Sequence, residues 1–360
     1  MILGENGMIK KAKDAKKESH YAVIEEQRKL AIAEAIMNTE KTYYTDKNNI
    51  TVEIPAYCAP TKVEGEENIE QGLTIVDKRG NFWVWIDVPV AIMPEGLTFE
   101  NDSDYEVLEK TLQQYVQDYR NSNYSDTWNQ DEKDGLKEEE YNQLKKKMLK
   151  SLYENKGFYI GKYEVGADTQ VIANDQKGRK AYIQPDKIVY NWVTSKQAQE
   201  ISQLLCPNDN NTSSLLFGIQ WDLILKCLEE KGKSKQELTV NSSAWGNYKS
   251  VSFLVERGNY TINPTIEDSY KSATGYEKPS SSVLLTTGAS DRNKALGIYD
   301  LAGNVREWSL EQYISNSSYP CTHRGGCFND SGSPYGNASF RDDIGIDNSN
   351  EYTGFRVALF

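Results

Sequence analysis

Roughly the last hundred residues of the chain constrain its fold most. Gly, Ser, Asn and Asp dominate them, and only short strand-like runs such as Ser282 to Leu285 and Phe355 to Leu359 interrupt. Irregular backbone of this kind belongs on a surface, because it cannot satisfy its own polar groups inside a core. The expected fold therefore has few regular elements and uses them to hold a long irregular face outward.

The elements that form such a scaffold lie upstream. Thr51 to Ile54, Leu73 to Val76 and Asn81 to Ile86 are β-prone runs, and Asp77-Lys78-Arg79-Gly80-Asn81 between the last two is a hairpin signal. Phe158 to Val165 alternates like a strand, while Thr194 to Leu205 and Phe217 to Lys231 read as helices, the second with Trp221, Ile224, Leu225 and Leu228 on one side. Between Glu100 and Asn155 the chain turns polar and acidic. There Tyr105, Leu108, Leu112, Tyr115 and Tyr119, then Tyr141, Leu144, Met148 and Leu152, recur at helical spacing, which predicts an inserted helical pair on the surface over about 100–155. Its run Lys145-Lys146-Lys147 reads as a solvated face. Ahead of all this, about 45 residues contain no Pro and, after Gly7, no Gly. Ala12, Ala15, Ala22, Ile32, Ala33, Ile36 and Met37 recur there at three- and four-residue steps, predicting a long helix whose weak, Ala-rich stripe packs lightly. The class is α+β, with a helical amino-terminal unit over 1–49 and a domain over 50–360.

Composition narrows the functions. A length of 360 residues exceeds one ordinary core and suits a large domain with an appendage. A net charge of −12 leaves no Lys/Arg surplus to displace counterions, so no nucleic acid is expected as partner. No run of 18 apolar residues occurs, so the chain as given is expected to be soluble. His20 and His323, the only two histidines, give little material for a zinc cage or a Ser-His-Asp engine. The five cysteines, Cys58, Cys206, Cys227, Cys321 and Cys327, include no CxxC and form at most one or two pairs.

The sharpest motif is Gly297-Ile298-Tyr299-Asp300-Leu301-Ala302-Gly303-Asn304-Val305-Arg306-Glu307-Trp308, followed by Arg324-Gly325-Gly326 and closed by Gly354-Phe355-Arg356-Val357. Asp300 and Glu307 flank a Gly-Asn turn where carbonyls also converge, and hard oxygen ligands in a tight loop suit Ca²⁺. This string resembles the formylglycine-generating enzyme (sulfatase-modifying factor) family, whose members share a C-type-lectin-like fold. Asn81 to Val88, Phe158 to Val165, Val193 to Ala198 and Leu216 to Trp221 extend the resemblance upstream in order, so that it covers about residues 73 to 360. It implies a C-type-lectin-like domain and one structural Ca²⁺, with side-chain oxygens from Asp300 and Glu307 and carbonyls from Gly303 and Val305. The other reading is that Glu307 pairs with Arg324 in the interior while Trp308 packs the core. The family's enzymes oxidise a substrate cysteine with two cysteines set four and nine residues after the second Gly of Arg-Gly-Gly. Here those places hold Asp330 and Tyr335, neither of which supplies a thiol ligand or redox partner, so the oxidase chemistry is expected to be absent. Cys327, directly after Gly326, is at another offset and reads as a small semi-buried residue.

The window from Cys327 to Thr353 is over half Asn, Asp, Ser and Gly, with apolar residues scattered at neither period 2 nor 3.6. Such a pattern suits a contact surface better than a core. Framed by Arg-Gly-Gly and Gly-Phe-Arg, it is similar to the variable region of proteins diversified by diversity-generating retroelements, which vary Asn-templated codons on this same fold. A fixed polar surface loop is the competing reading. The expected contact set is Phe328, Asp330, Tyr335, Phe340, Asp342, Ile344, Ile346 and Tyr352, with a protein or cell-surface ligand as partner.

Leu3 to Ala12 resembles the stretch just after the transmembrane segment in prepilin-like (type IV pilin-like) surface proteins carrying such domains. That implies an extracellular protein of the bacterial surface, anchored in a membrane or pilus by a segment preceding residue 1; a free helix capping the domain is the alternative. The combined expectation is a non-catalytic binding protein. An enzyme of the superfamily with altered chemistry, or a purely structural pilus component, are the rivals.

Overall fold

A computed structural model describes residues 5–206, 208 and 211–360. The prepilin-like stretch from Leu3 to Ala12 lies partly outside the described residues, and its side chains wholly so.

The chain opens with helix α1, Glu5–Met37, and a hairpin of β1, Thr42–Thr45, and β2, Thr51–Ile54. Among the described side chains, α1 meets the domain from Tyr21, whose hydroxyl accepts from Arg257 at 3.3 Å, to its carboxy-terminal turns. Ala31 and Ala35 are buried there against β3, Cys58–Pro60, and β4, Thr74–Asp77. Arg28 lies with its guanidinium 4.9 Å from the ring centroid of Phe82.

β4 turns into β5, Phe82–Asp87, through the expected hairpin. The Asp77 carboxylate builds that turn, accepting from the backbone N–H of Arg79 and Asn81 at 2.8 and 3.0 Å and from the indole of Trp83 at 3.2 Å, while Gly80 takes the left-handed conformation at φ 81°. The inserted helices come next: α2, Asp102–Tyr115, a short strand β6, Tyr124–Ser125, and α3, Glu138–Asn155. They are not merely a surface pair. Leu108, Leu112, Tyr141, Leu144, Met148 and Leu152 all join the main core, so the apolar stripe read from the sequence faces inward and only the opposite face is solvated.

After β7, Gly157–Gly161, come α4, Ser195–Leu204, strand β8, Ser213–Leu215, and α5, Gly218–Glu230. The long irregular tail then supplies β9, Arg306–Tyr313, β10, Cys321–Arg324, β11, Arg341–Ile344, β12, Thr353–Phe355, and β13, Val357–Leu359. Two sheets result. A six-stranded antiparallel sheet runs β8-β13-β7-β5-β4-β3, and a second runs β11-β10-β9-β12, with β6 pairing the far end of β9.

The run Phe355 to Leu359 is thus not one strand. It breaks at Arg356, where the chain passes from the second sheet (β12, parallel to β9) to the first (β13). The fully buried Arg356 joins the sheets, bonding Glu307 of β9 and the carbonyls of Gly161 and Tyr299 at 2.9 and 2.8 Å. The architecture is α+β and C-type-lectin-like. Among the described residues no helix is long and apolar enough to cross a membrane.

Candidate ligand-binding surface

The window is irregular from Gly326 to Phe340, becomes strand β11, and returns through a turn to β12. Its first half lies on a bed of framework contacts. Ser242 and Lys249 donate backbone N–H bonds to the carbonyls of Gly332 and Asp330, both at 3.0 Å, and Ser250 Oγ donates to Ser331 O at 2.6 Å. The Trp221 indole donates to Ala338 O at 3.0 Å. The supporting 248–251 loop is itself held by the buried Lys278 ammonium, which donates to the carbonyls of Tyr248, Val251, Pro279 and Ser281.

Within this segment the side chains divide. Phe328, expected in the contact set, is only 3% exposed and packs with Val189, Leu284, Val305 and Cys327. The pull of that apolar pocket turns it inward, so it belongs to the framework. Asp330 is also committed: its carboxylate accepts from Cys327 N–H at 2.9 Å and is held by the Arg306 guanidinium, with one contact at 2.9 Å. Tyr335 stands 70% exposed, and half-buried Phe340 meets it edge to face with ring centroids 6.4 Å apart. Tyr352 stacks its half-buried ring on Phe328. Ile344 and Ile346 are half-buried, one flank against the main core. Asp342 keeps a 44% exposed side chain, its Oδ2 3.4 Å from Nε2 of the buried His323, at the long limit of hydrogen bonding. Burial holds the His323 imidazole below its ordinary pKa despite that neighbour.

Strand β11 is pinned from beneath by an ionic cluster that sequence reading missed. Arg341 Nη2 bonds both carboxylate oxygens of Asp222 at 2.6 Å, its Nε bonds Glu311 at 3.0 Å, and its Nη1 bonds Tyr119 O at 2.7 Å. Arg324 bonds the same two carboxylates, and Arg120 reaches Asp222 at 3.0 Å. Burial alone would raise the Glu311 carboxyl, but the guanidiniums of Arg341, Arg324 and Arg120 outweigh it and hold it below the ordinary value. Arg324 therefore does not pair with Glu307, whose partner is Arg356. One clue was available in the sequence: Arg341 is the only basic residue between Cys327 and Thr353.

The expected calcium site does not fit the residues present. Glu307 is bound through both oxygens by Arg356, which would repel a dication at the same carboxylate. Asp300 accepts from Gly288 N–H at 3.0 Å and Asn293 Nδ2 at 3.3 Å. Gly303 and Val305 form a turn organised by Glu164, which sequence reading had treated only as part of a strand; its carboxylate accepts from Val305 N–H at 3.1 Å and Asn304 Nδ2 at 2.7 Å. Among the described residues no group of three or more His, Cys, Asp or Glu side chains is arranged to hold a metal. Burial raises the Glu164, Asp300 and Glu307 carboxyls, Asp300 to about 6.

The thiols are equally committed to structure. Cys58, Cys227, Cys321 and Cys327 form no disulfide, and Cys327 is buried with its thiol pushed up to about 12 by burial and by the Asp330 carboxylate. A thiol so far from ionising is a poor nucleophile and metal ligand.

Fold and surface together define a C-type-lectin-like domain with a loop-bearing face. The chain belongs to the sulfatase-modifying factor enzyme 1-like domain family, whose model matches residues 133–359. Solved structures similar to it include PvdO from Pseudomonas aeruginosa, 14% identical with a TM-score of 0.31 over 57% of this chain and 81% of that one. Treponema denticola variable protein 1 is 12% identical with a TM-score of 0.24 over 88% and 98%. CarF is 25% identical with a TM-score of 0.19 over 22% and 28%, so the chain spans under a third of CarF's length. No curated protein matches the chain.

Proposed function

We propose that this chain is a non-catalytic ligand-binding protein of the bacterial surface, and that its retroelement-diversified window contacts a protein or cell-surface ligand. In this reading an amino-terminal segment anchors the protein to a membrane or pilus, and α1 carries the domain. One observation carries the proposal: a single irregular segment sorts its side chains into buried anchors and outward groups. Phe328, Asp330 and Arg341 are spent on the framework, while Tyr335, Phe340, Asp342, Ile346 and Tyr352 retain exposure above it. Diversification without unfolding needs that separation, because buried positions tolerate little change and exposed ones tolerate much. Aromatic rings on such a surface supply contact area at low entropic cost. Against catalysis stands the occupation of both expected thiol positions by Asp330 and Tyr335.

Sequencing this locus from independent isolates tests the proposal. Substitutions should concentrate at 335, 340, 342, 346 and 352, spare Phe328 and Arg341, and accompany a neighbouring reverse transcriptase gene with a near-copy of the window. A window that is invariant, or that varies at buried and exposed positions alike, overturns it. So does copper-dependent oxidation of a cysteine peptide by the purified chain.

A further inference from the structure

We infer that the partner of this face is an extended, basic polypeptide segment that pairs main chain to main chain with β11. The inference rests on the window being the contact face and adds what that face takes. β11 pairs with β10 alone, in register from Cys321↔Ile344 to Arg324↔Arg341. Among the described residues no other backbone–backbone hydrogen bond reaches Arg341 to Ile344. In an antiparallel ladder half of a strand's N–H and C=O groups point away from any one neighbour, so the outer row of β11 has no backbone partner among the described residues. On the other side of the sheet the border strands are β12 and β6, and there the Val165 N–H donates to Phe355 O at 2.9 Å. The open edge of β11 lies within the window.

Charge decides what pairs there. Alternation along the strand sends Asp342 and Asp343 to opposite faces, so an incoming strand meets a carboxylate on each side of the edge. Asp347 is exposed just beyond. The window's single cation, Arg341, lies in a buried cluster in which the guanidiniums of Arg120, Arg324 and Arg341 face the carboxylates of Asp126, Asp222 and Glu311, so it is matched from within. Two copies of this chain meeting through β11 would set carboxylates against carboxylates, the device by which edge strands resist self-association. A strand with Lys or Arg at alternate positions meets no such repulsion and gains the ladder bonds as well. The ionic cluster under Arg341 fixes β11 before any partner arrives, so ordering falls mainly on the incoming segment. Main-chain bonds then give affinity, and neighbouring side chains such as Phe340 and Ile346 give specificity, the division of labour of strand addition.

The probe is a ten-residue peptide alternating Lys with Thr and Val, titrated calorimetrically at low salt into the full chain. Its controls are a Glu-for-Lys counterpart and two N-methylated versions, one for each alternating set of amides. Amide hydrogen exchange is read in parallel. The Lys peptide should bind and slow exchange at residues 341–344; the Glu peptide and one of the two N-methylated peptides should bind at least tenfold more weakly. The double variant Asp342→Lys, Asp343→Lys, checked by its thermal unfolding to be folded, should lose at least tenfold. If both N-methylated peptides bind as the parent does while the double variant still loses binding, strand pairing is overturned and the contact face stands. If no peptide binds, or the double variant binds unchanged, the inference is overturned, and the contact-face reading is judged separately by the pattern of variation among isolates.

Discussion

Phe328 and Tyr335 share one irregular segment, yet the ring of Phe328 fills an apolar pocket while Tyr335 projects outward. Phe328→Ala should cost about 3 kcal/mol or more in urea unfolding, the order for emptying an aromatic site. Tyr335→Ala should stay within about 0.5 kcal/mol, as surface changes do. Equal costs would mean that the division of the window is wrong. A second residue-scale effect concerns the carboxylates around Arg356. Burial lifts the Asp300 pKa to about 6, so between about pH 4 and pH 6 the folded state holds a proton that the unfolded chain has released. The contribution is fully present below pH 4 and is lost as pH rises through 6, by about 1–3 kcal/mol. Asp300→Asn retains a side chain tolerant of the left-handed backbone at φ 57° and removes the titration. Melting temperature plotted against pH should therefore fall less steeply between pH 4 and 6 in the variant; an unchanged slope would place that pH dependence elsewhere.

At the scale of elements, the pinning of β11 was the least legible part of the site. Arg341, Asp222, Glu311 and Arg120 come from four separated stretches of chain, and no local period or motif links them. The elements bound by local chemistry were legible. The β4–β5 hairpin announced itself through Asp77 and Gly80, and α4 begins where Thr194 and Gln197 form a capping box. Strand β12 was misjudged because alternation says nothing about which sheet a strand joins, and only Arg356 marks the crossing. For the ionic cluster, Arg341→Met should destabilise the protein by about 3–5 kcal/mol in urea, because Asp222 and Glu311 are left buried with fewer counter-charges. Arg341→Lys should recover little of this, since an ammonium cannot bridge two carboxylates and a carbonyl as the planar guanidinium does. Faster hydrogen exchange at 341–344 in both variants would show the loss at the window itself, and wild-type stability in either would remove the cluster from its support.

On the scale of the whole molecule, the order of the family motifs revealed the domain, because Gly-Asn-Val and Gly-Phe-Arg sit where the two sheets meet and buried geometry leaves them little latitude. The depth of the inserted helices was not revealed, since an amphipathic stripe tells that a face is covered but not by what. The same ambiguity governs α1. Its Ala-rich stripe predicted light packing, and among the described residues its buried apolar contact lies at Ala31 and Ala35, with Arg28 over Phe82, Tyr21 bonded to Arg257 and Glu34 paired to Lys62 at 2.6 Å. Those contacts fix the end of the helix to β3 and β4. Deleting residues 1–19 should then leave the unfolding free energy within about 0.5 kcal/mol, whereas deleting 1–37 should lower it by about 2 kcal/mol or more through apolar surface returned to water. Urea titration of the two truncations against the full chain decides between them. Equal stability of the two would mean that the contacts of α1 with β3 and β4 add nothing to the stability of the domain.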